Sequence, residues 1–485
     1  MLEGQSYVYY GYLLSLSALL ILAGGLADYY GRKKLFVIGM AGFGITSVLC
    51  GLAPNLELLV LARVLQGAAG AILVPGSLAI ISACFEGEEE GRAFGVWAGA
   101  SAATTIFGPA LGGFLVSSIS WRAVFLINVP FVLFGLWATV VHVPESKDES
   151  AHGRFHWSGA IAVAIAVGGL TFGAIRGEAT DWESATAFMS LALGVLALIA
   201  VPIMMLRAKN PLIPPKLFKS RNFTVTNIST LVIYGALYVT FQFLALFLIG
   251  TLGYNELAFG LATIPGSLFL VFFSTRFGTM AAKHGPRLFM SLGPAIMGLG
   301  LLWFTVIPTD SEPWVSELGD PGSLLPPGDY LVHVLPGLVL FGIGLMIMVA
   351  PLTTALMRSV PVENSGVASA VNNAISRVGP QLVGALLFIA ISASFASALE
   401  QEPAIQSGQS DISVDETSPL NPPPAGASEE EAKAINDAST DSFHLAQLVA
   451  AGLCFAGAAI NAVGIRNERL REAPEEEAAP EVAPA

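Results

Sequence analysis

The sequence predicts an all-α polytopic membrane protein built from two helical bundles, and three observations carry that prediction. First, 54% of the 485 residues are hydrophobic, only 12% are charged, and the mean hydropathy is +0.68. So little polar material cannot cover a soluble surface of that size. Second, apolar runs of roughly 18 residues or more recur along the chain, near the length needed to cross a hydrocarbon core. Third, eighteen of the 23 Lys and Arg residues fall in one alternate set of connections and three in the other, with Arg63 and Arg377 inside the runs. Such asymmetry marks membrane topology. A β-barrel would show alternating short strands, which are missing here.

Thirteen spans follow in order: 7–27, 36–53, 58–83, 93–117, 123–142, 158–176, 185–206, 223–250, 257–275, 288–307, 330–357, 365–397 and 443–465. The charge bias places the connection at Arg32 and the C-terminus in the cytoplasm of a cell (plasma or inner) membrane, and the N-terminus outside. The spans divide into an N-terminal bundle (1–142), an inserted helix pair with its linkers (143–222) and a C-terminal bundle (223–465). An acidic cytoplasmic tail (466–485) follows. Residues 308–329 and 399–442 read as external loops. The second carries Pro422, Pro423 and Pro424 among many acids, a composition expected of a disordered linker. The net charge of −13 therefore belongs to loops and tail rather than to a binding surface. Cys50, Cys84 and Cys454 are scattered through apolar sequence and imply no disulfide framework. No nucleotide loop, metal cluster or catalytic constellation is legible, so no enzyme activity, cofactor or metal is expected. The basic residues form topogenic clusters, which gives no reason to expect a nucleic-acid partner.

Four stretches carry more than hydropathy. Residues 24–35, GGLADYYGRKKL, form a short polar hinge between the first two spans. Gly24 and Gly31 permit a tight turn and close backbone approach. Asp28 stands where it can pair with a base or with a helix N-terminus, while Arg32, Lys33 and Lys34 mark the joint as cytoplasmic. The basic residues alone would suit any positively charged loop. In 58–75, LLVLARVLQGAAGAILVP, Arg63 lies inside an apolar helix, at a cost of at least about 2.5 kcal/mol on insertion scales. It precedes Gln66 and Gly67, and Gly67 and Gly70 leave its face open for a close helix or for solvent. In 103–114, ATTIFGPALGGF, Gly108 and Gly112 share a face and predict a tight crossing; Pro109 removes a backbone hydrogen bond, and Gly113 follows. In 121–130, WRAVFLINVP, Trp121 and Arg122 suit an interfacial anchor.

Elsewhere, Tyr238 with Gln242, and Asn372 and Asn373 with Arg377, are polar groups within apolar helices. They either tie neighbouring helices or face a cavity as substrate contacts. His142 and His333 stand near span ends and read as interfacial. A weak internal repeat also runs through the chain: 278–287, GTMAAKHGPR, follows the pattern of 24–33, and 379–384, GPQLVG, echoes 108–113, GPALGG. Parallel repeats are expected where two helical bundles rock about a central site.

The string G-x-L-A-D-x-x-G-R-K at 24–33 resembles the signature loop of the major facilitator superfamily, with Tyr29 where a basic residue is usual. R-x-x-Q-G-x-x-G from Arg63 is similar to a second motif of its drug:proton exporters, and G-P-x-x-G-G from Gly108 looks like their antiporter motif, with Thr104 in place of an earlier glycine. WRAVFLINVP resembles a string of the fourteen-span drug:proton antiporter family. The resemblance implies two pseudo-symmetric bundles with 158–176 and 185–206 inserted between them, and a monomer in the bilayer. It further implies export of drugs or other amphipathic or cationic small molecules, with protons as coupling ion and alternating access. In that reading Asp28 and Arg32 form a cytoplasmic latch, Arg63 assists proton transfer, and Gly108–Gly113 governs helix packing. The thirteen spans align with the family's second to fourteenth. Its first span, which normally bears an acid, is missing, and no predicted span interior holds Asp or Glu. Arg63 is then expected to lack a carboxylate partner, and the true gene product to begin upstream. Two other readings stay open: a dedicated exporter of an endogenous metabolite such as an antibiotic, and a truncated, non-transporting membrane protein.

Overall fold

The first two spans are joined by one residue rather than by a hinge of several. Helix α1 (Leu2–Tyr30) runs through Asp28, Gly31 takes φ = +116°, and α2 (Arg32–Gly51) starts at once. Only glycine adopts that backbone without strain, so the turn needs no further residues. The computed structural model describes residues 2–147, 155–179, 184–317, 319–401, 417–424 and 426–467.

The chain continues through α3 (Leu56–Cys84), α4 (Gly87–Ser118), the short α5 (Ala123–Leu126) and α6 (Asn128–His142). Then come α7 (Trp157–Ala179), α8 (Ala185–Arg207), α9 (Arg221–Leu246), α10 (Glu256–His284) and α11 (Arg287–Trp303). The last three are α12 (Leu335–Arg358), α13 (Ser365–Gln401) and α14 (Glu429–Gly464). Among the described residues, twelve stretches are long and apolar enough to cross a bilayer. The predicted span 93–117 falls inside α4, whose 32 residues give it the length of another. The predicted span 123–142 is split between α5 and α6.

Side-chain caps set the helix starts. Asn55 accepts from the Leu58 amide to begin α3, Ser220 from Phe223 to begin α9, and Asn255 from Ala258 to begin α10. Each satisfies an amide that the first turn leaves without a helical partner. Ser428 and Glu431 form a reciprocal capping box that starts α14 at Glu429. The expected disordered loop 399–442 is therefore corrected in part. Residues 429–442 are helical, because the box and the three acids of the first turn suit a helix N-terminus. That extension packs Ile435 and Ala438 against Phe395 and Leu399 of α13, and Leu420 is buried beside Ser439, whose Oγ accepts from its amide. Residues 402–416 of that loop, and 468–485 of the predicted tail, lie outside the described residues.

Helices α9 to α14 enclose one apolar core, in which Phe247 stacks on Phe443 at 4.0 Å. A second core lies where the two halves meet. There Leu20 and Ile21 of α1, Leu78 of α3 and Phe94 of α4 cluster with Met357 of α12 and with Ala370 and Val371 of α13. The predicted inserted pair, α7 and α8, is a tight hairpin, with Gly169 and Gly173 set against Gly194 and Ala187. Helix α7 packs on both α1 and α13, so the pair lies along the seam between the halves.

Candidate functional site

Asp28 is the residue on which the seam closes. Its side chain lies in the last turn of α1, 5% exposed, and does both things its position allowed. One oxygen accepts from Arg32 Nε at 3.0 Å and Nη2 at 2.9 Å; the carboxylate also receives the Gly366 amide at 3.0 Å and the Val367 amide at 2.8 Å. Those two amides open α13, so an anion from one half caps a helix of the other. Arg32, 1% exposed, donates onward to the Val362 carbonyl of the turn before α13. Small residues make this geometry possible. A Cβ on Gly24 would overlap the Gly366 carbonyl and Ala370, and a Cβ on Gly366 would stand 2.6 Å from Asp28 Oδ1.

The other basic residues of the loop serve its own half. The Lys33 and Lys34 amides, which open α2, donate to the two oxygens of Glu145 at 3.0 Å each, and Lys33 Nζ donates to the Val140 carbonyl. Glu145 thus caps α2 and fixes the loop from beneath.

A second tie crosses the seam nearby. Arg358, closing α12, donates to Glu90 Oε2 at 2.9 Å, to the Gly87 carbonyl and to the Ala282 carbonyl. Lys283 and Glu88, both exposed, lie 3.9 Å apart beside it. Above them α4 and α10 cross closely: a Cβ on Gly91 would stand 2.6 Å from the Gly278 carbonyl, and Ser274 Oγ donates to the Gly95 carbonyl at 2.8 Å. The hydrogen bonds and ion pairs described between the halves cluster at this end of the bundle, the end that carries Arg32, Lys33 and Lys34.

Arg63 is not left unpaired, contrary to the expectation from the lack of span carboxylates. Its Nη1 donates to Gln66 Oε1 at 2.6 Å, its Nε to the Val8 carbonyl, and its guanidinium lies over the Tyr12 ring at 4.1 Å. Gln66 passes the contact on to Ser47, which also accepts from Asn128. A neutral amide, a carbonyl and an aromatic face are among the groups that meet the charge. Gly67 meets Ser15 and the Tyr12 carbonyl, so its face serves close helix approach.

The remaining predicted residues separate. Asn372 is buried and donates to Asn227 and Thr230 of α9, a helix-to-helix tie. Asn373 donates to Ser369 of its own helix. Arg377 is half-buried, and its Nε is buried without a hydrogen-bond partner. Tyr238, 51% exposed, and the exposed Gln242 stand one turn apart on α9. The tight crossing expected at Gly108 and Gly112 is not made with any described residue: a Cβ on either meets nothing within 4 Å. The close approach of α4 lies lower, at Gly91 and Gly95, where α10 also offers small residues. Of Pro109 and Gly113 only their place in α4 is described.

Comparison with known proteins agrees with this architecture. Residues 3–385 match the Major Facilitator Superfamily. The chain belongs to that superfamily. It is 32% identical over 403 residues to the multidrug resistance protein Stp of Mycobacterium tuberculosis, covering 82% of this chain and 71% of that one. It is 29% identical to the tetracenomycin C resistance and export protein of Streptomyces glaucescens, covering 78% and 67%. Among solved structures, the major facilitator proton:xylose symporter XylE superposes with a TM-score of 0.52 at 15% identity, covering 92% of this chain and 84% of that one. A major facilitator protein is a multi-span membrane transporter rather than an enzyme, and the relatives are named for drug and antibiotic resistance.

Within this superfamily member the weak sequence repeat has a three-dimensional counterpart. Gly24, Asp28 and Gly31 correspond, 254 residues on, to Gly278, Ala282 and Gly285, and Gly285 again has positive φ, +90°. Gly24 crosses Gly366 as Gly278 crosses Gly91. Glu145 caps α2, and Asn467, likewise just past the last helix of its half, accepts the Arg287 amide that opens α11. The halves differ where Asp28 and Arg32 correspond to Ala282 and Pro286: Ala282 cannot cap α4, and the Arg358–Glu90 pair stands there instead.

Sequence reasoning missed Glu90, Glu145, Arg358 and Gly366. Arg358 falls among the charges of the connections, and Glu90 lies in an acidic stretch between two predicted spans. The one local signal was Pro361 followed by Gly366, a helix start facing a loop already singled out.

Proposed function

We propose that this chain exports amphipathic small molecules across the cell membrane by alternating access, coupled to inward proton flow. The observation that carries the reading is the closed seam: Asp28 and Arg32 of one half hold the N-terminus of α13 in the other, as a latch that must open once per cycle. The basic end is taken as cytoplasmic from the charge bias, so the arrangement is the outward-facing state. The resistance and export roles named for the relatives support the direction of transport.

Among the described residues the buried carboxylates are Asp28 and Glu90, and both sit in the seam. A carboxylate buried in one state and solvated in the other has a different proton affinity in each. By linkage, proton binding then biases the two states, which is what coupling requires. Arg63 and its amide partner Gln66 are held in the first half as the positioning group of that machinery.

The test is transport by the purified protein in proteoliposomes with an imposed pH gradient, read with a fluorescent amphipathic dye. Dye movement that follows the gradient and collapses with a protonophore is expected. Movement indifferent to the gradient would remove proton coupling; no movement of any dye would remove the export reading.

A further inference from the structure

Among the described residues Arg377 forms no ion pair. It lies in α13, twelve residues beyond the helix start at Ser365, so at about 1.5 Å per residue it is well inside the membrane region. Its Nε is buried without a partner, a rare condition for a polar group and a costly one for a guanidinium. Arg63 shows how the same chain treats an arginine that belongs to its frame: it is given Gln66, a carbonyl and an aromatic ring. None of the thirteen predicted spans contains Asp or Glu, so those helices offer Arg377 no counter-charge at this depth.

The direction of the side chain follows from helix geometry. Asn372 and Gly379 face α9, through Asn227, Thr230 and Leu231. Val371, Ala374 and Val378 join the cluster that holds Val163, Val167 and Leu170 of α7. Gly366 and Ala370 meet Gly24 of α1. Position 377 falls within about 20° of the Gly366–Ala370 row at 3.6 residues per turn. It therefore looks at the opposite half, about 10 Å beyond the Gly24 crossing, on the row that the seam closes below.

We propose that Arg377 is a substrate-binding residue, and that the molecules exported carry an acidic group, a carboxylate or an ionised phenol, which the guanidinium receives. A planar fork of donors matches a carboxylate in two parallel hydrogen bonds, and in a site of low dielectric that pairing is strong. A permanently cationic substrate meets Arg377 with like charge and gains nothing from it. The inference rests on the export reading and refines it, since the sequence alone suggested amphipathic or cationic cargo.

The experiment uses two dyes on one xanthene scaffold, fluorescein as the anion and rhodamine 6G as the cation. Their equilibrium binding to the purified full chain is measured by anisotropy, alongside transport in proteoliposomes. Tighter binding of fluorescein is expected, with affinity falling roughly tenfold or more in Arg377→Gln and partly kept in Arg377→Lys, while any rhodamine 6G binding is unchanged or strengthened. Equal affinity for the two dyes, or a loss in Arg377→Gln that is the same for both in a protein of unchanged melting temperature, would overturn the assignment. Anion-selective binding without transport would uphold Arg377 and remove the export reading instead.

Discussion

Asp28 combines three partners that a neutral residue cannot hold equally: Arg32 and two amides of a helix start. Asp28→Asn keeps the shape and removes the charge. Loss of a charged helix cap costs about 1–2 kcal/mol, enough to move the balance between closed and open seam by roughly 5- to 30-fold. Dye efflux from cells should fall accordingly while the amount of membrane protein stays constant; full efflux in that variant would contradict the latch. Gly366→Ala tests the same seam by volume rather than charge. Its methyl would meet Asp28 Oδ1 at 2.6 Å and the Gly24 carbonyl at 2.8 Å, both tighter than real contacts. The variant should lose efflux as Asp28→Asn does, with the carboxylate still present. In the first half, Gln66→Leu takes from Arg63 its Gln66 acceptor and from Ser47 one of its two donors. Loss of a hydrogen bond to a charged group costs about 1.5–3 kcal/mol, so a fall in melting temperature of a few degrees is expected in detergent.

At the scale of helices, small residues and caps decide more than hydropathy does. The α4–α10 crossing depends on Gly91 and Gly278, each of which would drive a Cβ into the other's backbone. Gly91→Leu should force the pair apart and destabilise the fold by about 1–3 kcal/mol, visible as a lower melting temperature, whereas Gly108→Ala should be nearly neutral because nothing described lies within 4 Å. That contrast also marks how far the sequence could be read. The glycines at 108 and 112 drew notice because they sit in a recognisable string; Gly91 and Gly95 follow an acidic stretch that looks like loop. Which glycine meets another helix depends on the partner's small residues, and a single sequence does not display that pairing. The start of α14 failed to register for a related reason. Acids and a proline run signalled a linker, while Ser428 with Glu431, a helix-start signal in its own right, was hidden inside that composition.

For the molecule as a whole, apolar run length located the spans, because each helix must satisfy its backbone internally in lipid and so shows itself in hydropathy. The two halves were legible as a faint repeat at Gly24 and Gly278. Asp28 and Arg32 were legible as one side of a latch, but their partners in the other half were not, because they lie hundreds of positions away. The structure gives the closed end two unlike fastenings, a capped helix at α1–α13 and an ion pair at α4–α12. They should respond differently to salt. The Arg358–Glu90 pair is partly exposed, and screening weakens exposed pairs most, whereas Asp28 and Arg32 are sealed. Raising ionic strength should therefore slow transport in Asp28→Asn, which depends on the remaining pair, more than in Glu90→Gln. Equal salt sensitivity in the two variants would show that the fastenings do not act separately.

Cys84 ends α3, the helix that abuts the Val362–Asn364 turn held by Arg32. It is exposed, while Cys50 and Cys454, the other two thiols of the chain, are buried. A maleimide dye or a nitroxide added to the unaltered protein would consequently attach at one place, beside the part that moves. The wild-type transporter thus arrives with its own handle for spectroscopy, and its turnover can be followed in real time without engineering a single codon.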